Sequence, residues 1–182
     1  MSASKLPEPK LSESRLPEPW LRGTLSEVPG VPRAVLHALE MAREDVERWC
    51  GGLSDEELNA RPAGIAPVAF HVRHIARSLD RLLTYAEGNA LTREQLAALK
   101  TELDPGANRD GLFAELTAAM EKSAERIRAF KVEDLEQARG IGKKQLPTSV
   151  GGLLVHIADH TQRHVGQAIT TAKVVLAGRK QA

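Results

Sequence analysis

Residues 148–176 read TSVGGLLVHIADHTQRHVGQAITTAKVVL. Apolar residues recur here at Val150, Leu153, Leu154, Ile157, Thr161, Val165, Ala168, Ala172 and Val175, which is the spacing of one helix face. With Ile157 set to zero and ~100° per residue, this stripe centres near +20°. His164 then falls at about −20°, inside the stripe, His160 at about −60°, at its edge, and His156 at about −100°, on its shoulder. His160 and His164 are therefore i and i+4, one turn apart on one face. That spacing lets a single helix offer two imidazoles to one cation.

Working outward, the same period recurs three times. Val35, Leu36, Leu39, Ala42, Val46, Trp49 and Cys50 line a helix that starts at Pro32, a good first-turn residue, and ends at Gly51-Gly52. Val68, Val72, Ile75, Leu79, Leu82, Leu83 and Ala86 line a second, from Pro67 to Glu87, stopped by Gly88-Asn89. Leu112, Phe113, Leu116, Ala119, Met120, Ser123, Ile127 and Phe130 line a third, over 109–130. Four long amphipathic helices predict an all-α fold, a four-helix bundle. Short extra helices are expected in the connections: one after Ser54, whose Glu57 gives capping-box spacing, and one over 92–103. No segment alternates with period two, and residues 131–147 read as a long connection.

Residues 1–30 differ from the bundle domain expected over 31–182. Five prolines crowd this arm, and Leu-Pro-Glu-Pro occurs twice. Proline fixes φ and removes an amide donor, so an extended arm is expected. Leu16, Trp20, Leu21, Leu25 and Val28 are candidates to pin it to the body.

Composition excludes several classes. The 182 residues carry a formal charge of +1, which gives no basic footprint for nucleic acid. Aromatics are only 3% and scattered, so no stacking platform for single strands exists. No stretch is apolar enough for a membrane span, and the N-terminus lacks a secretory apolar region. A single cysteine, Cys50, rules out an intrachain disulfide framework and favours a cytoplasmic location. Cys50 lies on its helix's apolar stripe and reads as a packing residue.

The six histidines divide. His37 lies about 160° from Leu39 and should face water. On the second helix, His71 falls at about −40° and His74 at about −100° from Ile75, with the stripe near +30°. Periodicity alone thus places His71 nearer the interior, and either could supply a third nitrogen opposite His160 and His164. Arg77, Asp80 and Gln167 are lesser candidates, for an anionic cosubstrate or for orienting a ligand.

His74-Ile75-Ala76, with Asp80 and Arg81 just after, resembles the His-(Leu/Ile/Val)-Ala element of the DinB/YfiT-like metalloenzyme family. His160-x3-His164-Val165-Gly166-Gln167 resembles that family's His-x3-His-x-Gly-Gln element, and Leu154, His156 and Asp159 resemble the run preceding it. The likeness covers about residues 31–176. It implies an up-down-down-up bundle that holds a divalent metal ion, nickel, zinc or iron, through His74, His160 and His164. Here the resemblance favours His74 where periodicity favours His71, which stays as a supporting or substitute ligand. The resemblance also implies a small-molecule substrate and thiol-dependent S-transferase activity with a low-molecular-weight thiol such as bacillithiol or mycothiol. Cys50 being a packing residue, that thiol would come from outside. The alternatives are a non-catalytic metal-binding or regulatory bundle, and a plain interaction bundle whose histidines only pack. A homodimer is compatible with the helices, but no residue decides it.

Overall fold

The computed structural model describes residues 16–179. Its long helices are α1 (Gly30–Cys50), α3 (Val68–Ala86), α5 (Arg109–Arg128) and α6 (Val150–Gly178). Short helices α2 (Asp55–Asn59) and α4 (Arg93–Lys100) lie in the connections. Both are closed at their N-termini by capping boxes, Ser54 with Glu57 and Thr92 with Gln95. Each box satisfies two amide donors that a helix start leaves free. α3 ends where the sequence implies. Gly88 takes φ +82°, which suits a residue without a Cβ. The amides of Gly88 and Asn89 then bond the carbonyls of Tyr85 and Thr84, a Schellman closure.

The long helices form a ring in the order α1–α6–α3–α5. Side-chain pairs set their directions. Gln162 bonds the Ala38 carbonyl and Lys173 lies over the Trp49 ring, so α1 and α6 run parallel. His71 meets His164 and His74 meets His160, so α3 and α6 are antiparallel. Arg77 pairs with Glu115 and Asp80 with Arg126, so α3 and α5 are parallel. The bundle is up-down-down-up. Its core is the four predicted stripes, with Val46, Val72, Ile75, Leu83, Ile127, Leu154 and Ile157 fully buried.

Parallel neighbours that follow one another in sequence need a long return. The return from α3 to α5 spans residues 87–108 and carries α4 back along α3. Gln95 bonds Asp80 and Thr84 at one end. At the other, Arg73 donates to the carbonyls of Glu102 and Asp104.

Three expectations need correction. Residues 131–147 are not merely a connection, because β1 (Ala138–Ile141) pairs antiparallel with β2 (Leu146–Ser149). These strands are four residues long and contain Gly140 and Pro147, too short and too interrupted to show alternation. His37 does not face water. It is 7% exposed, because the chain before α1 folds over that face and sets Thr24 Oγ1 3.1 Å from His37 Nε2. Of the residues expected to pin the arm, Val28 is in the core and Leu25 packs on it, but Leu16, Trp20 and Leu21 are exposed. Arg22 makes the attachment instead, through Glu40 at 2.9 Å and Glu44 at 2.6 Å. The first Leu-Pro-Glu-Pro, residues 6–9, lies outside the described residues.

The core makes a stability prediction. Leu83 is fully buried on α3, far along the helix from the histidines. Leu83→Ala should destabilise the protein by about 2–5 kcal/mol, through lost burial and the cavity left behind. Urea unfolding measures this; a cost below about 1 kcal/mol would mean that the position is not packed as described.

Candidate metal centre

The antiparallel contact of α3 with α6 brings five histidines near one another. His74, His160 and His164 form a group in which one ligating atom from each lies within 4.8 Å of the others. His74 Nε2 is 3.3 Å from His160 Nε2. The rings of His74 and His164 are 4.3 Å apart, and those of His160 and His164 4.6 Å. The helical arithmetic explains the convergence: i and i+4 on α6 stack one turn apart and meet a residue one turn along the antiparallel partner.

His71 and His74 play different parts. Periodicity places His71 inward, and it is the more buried of the two. Its Nδ1 faces His164 Nδ1 at 3.1 Å, so it touches one member of the triad from behind. His156 is exposed and 3.7 Å from Asp159, and His37 is on another helix. Phe70 walls the group, stacked on His74 at 5.4 Å and edge-on to His71 at 5.1 Å.

Burial is the main influence on the imidazoles' charge. It pushes His71, His160 and His164 down to about 4, with the neighbouring His74 adding to the shift. These rings are neutral at pH 7, and a neutral imidazole is the form that binds a cation. Among the described residues, buried His160 Nδ1 has no hydrogen-bond partner. Such an atom is costly in an apolar core. The donor set is nitrogen only, which suits zinc, nickel, iron or copper better than calcium or magnesium. The residues present fit a divalent transition metal.

Two residues of this region are not among the site candidates read from the sequence. Glu102 is 4% exposed, with Oε2 2.6 Å from His74 Nδ1 and Oε1 2.6 Å from Arg81 Nη1. Burial works to raise its carboxyl, but hydrogen bonds from His74 and then Arg81 hold it below the ordinary carboxylate range. Glu102 lies just past α4, in a turn whose sequence shows no motif. Arg81 stands at the end of the first histidine element, and its burial follows from contact with that turn. The lesser candidates have other work. Asp80 pairs with Arg126 at 2.7 Å, and Arg77 with Glu115 at 2.7 Å and the Ala98 carbonyl at 2.9 Å. Both tie α3 to its neighbours, and Gln167 is exposed.

The depressed histidines set a pH dependence. As pH falls below about 6.5 the unfolded chain takes up protons that the folded rings refuse. In metal-free protein their contribution is full above that value and is lost progressively down to about 4. Urea midpoints across this window should fall more steeply for the wild type than for a His160→Gln, His164→Gln double variant. Parallel curves would show that the rings are not held neutral.

A profile of the DinB superfamily matches residues 38–168. A search of curated proteins found no match. Among solved structures, a crystal structure described as a conserved protein from Enterococcus faecalis is similar, with a TM-score of 0.68 and 20% identity. The alignment covers 82% of this chain and 99% of that one, and a likeness at this identity speaks to the fold. With the up-down-down-up bundle and the grouped histidines in place, the profile match over most of the chain settles the family: this protein belongs to the DinB superfamily.

Proposed function

We propose that this protein is a metal-dependent enzyme that acts on a small electrophilic molecule with a low-molecular-weight thiol as cosubstrate. The observation that carries the reading is the triad of His74, His160 and His164, with ligating atoms within 4.8 Å of one another. Three histidine ligands are the design of a site that keeps a position open for chemistry. A divalent cation there supplies Lewis acidity, which brings deprotonation of a water or a thiol into the neutral range.

The chain's own residues support this use. Burial keeps His160 and His164 neutral at working pH, so neither has to lose a proton before a cation enters. Phe70 stacks on one face of His74. The protein's own thiol is unavailable: Cys50 is fully buried in the core, and burial pushes it up to about 12. A nucleophilic sulfur therefore has to arrive with a cosubstrate.

Metal content of untagged protein tests the site. The wild type should carry a stoichiometric divalent metal, and His160→Ala and His164→Ala should each lose most of it. Equal metal in all three proteins would overturn the ligand assignment. The transferase is tested separately, by turnover of a haloarene with a panel of small thiols including bacillithiol and mycothiol. A thiol-dependent rate that falls with metal removal is expected. Absence of any such rate in metal-loaded protein would remove the transferase and leave the site.

A further inference from the structure

The return from α3 to α5 does more than connect. It runs antiparallel to α3, and three α3 cations grip it in succession. Arg77 holds the Ala98 carbonyl and the Thr101 hydroxyl at 2.9 and 2.8 Å. Arg81 holds Glu102 Oε1 at 2.6 Å. Arg73 holds the carbonyls of Glu102 and Asp104 at 3.0 and 2.8 Å. The backbone on both sides of Glu102 is thus fixed, and one carboxylate oxygen is anchored. The other oxygen reaches His74 Nδ1 at 2.6 Å.

We propose that Glu102 is the positioning residue of the metal centre, holding His74 in the tautomer whose Nε2 lone pair points at the site. An ionised carboxylate only accepts hydrogen bonds. Facing Nδ1, it requires that nitrogen to carry the proton. In the neutral ring the lone pair then lies on His74 Nε2, which stands 3.3 Å from His160 Nε2. Carboxylate–histidine pairs of this kind orient ligands and raise their basicity. A carboxylate present only to neutralise Arg81 would have no need to divide its oxygens between Arg81 and His74. The inference rests on the metal reading for its purpose, but the tautomer is a property of the metal-free protein.

The test uses Glu102→Gln. Arg81 would orient the amide oxygen toward itself and turn the amide N–H toward His74 Nδ1. That nitrogen must then accept, and the proton moves to Nε2. In metal-free wild type, nitrogen NMR of the imidazoles should show His74 protonated at Nδ1, and in the variant at Nε2. Zn²⁺ affinity, measured by competition with a chromogenic chelator, should fall about 10–100-fold in the variant. An Nε2–H tautomer in the wild type would overturn the proposal, as would unchanged tautomer and affinity in the variant. If Glu102→Gln does not fold, as judged by thermal unfolding, the wild-type tautomer alone decides. Failure of the wild type to bind Zn²⁺ would sink the metal reading, while the NMR result still reports on Glu102.

Discussion

Buried imidazoles at the antiparallel contact of α3 with α6 are the constraint around which this protein is arranged. A histidine in an apolar bundle cannot stay charged without a partner, and burial here pushes three of the rings down to about 4. Neutral rings still carry polar nitrogens that need company. Among the described residues, His164 finds His71, His74 finds Glu102, and His160 Nδ1 has no partner. This uneven satisfaction is a poor solution for a core built only to be stable. It suits a core in which these rings are grouped for a ligand.

The topology follows from the same place. Antiparallel α3 and α6 let an i,i+4 pair on one helix meet a residue on the other. With α3 parallel to α5, the chain must then climb back along α3 over residues 87–108. That climb lays Glu102 against the back of His74 and gives Arg73, Arg77 and Arg81 their partners. A connection that a simple up-and-down bundle would not need becomes the support of the site.

Long-period features were legible in the sequence and local ones were not. The stripes on α1, α3, α5 and α6 repeat over many turns, so each helix could be placed within a few residues, and the His160/His164 pair shows in the spacing alone. Angles on one helix rank His71 inward of His74, as the structure does, but they cannot say which of the two meets the α6 pair. What distinguishes them is which residue stands opposite, a tertiary fact. His37 was misjudged for a related reason: its helix face is covered by residues 20–28, which carry no helical period. The β1–β2 hairpin is too short to alternate. Glu102 is a single acidic residue in a turn, and its burial depends on three arginines from another element.

The chain belongs to the DinB superfamily and groups three histidines that could hold a metal ion, and the buried Cys50 leaves any sulfur nucleophile to a cosubstrate. The central claim is that His74, His160 and His164 together hold one ion. Anomalous diffraction from a crystal of untagged, metal-loaded protein tests it most directly. The account predicts a single strong peak between α3 and α6, within coordination distance of one nitrogen from each of these three histidines, with Glu102 still on His74 Nδ1. A peak ligated through His71 in place of His74, or no ordered ion between the two helices, would contradict it.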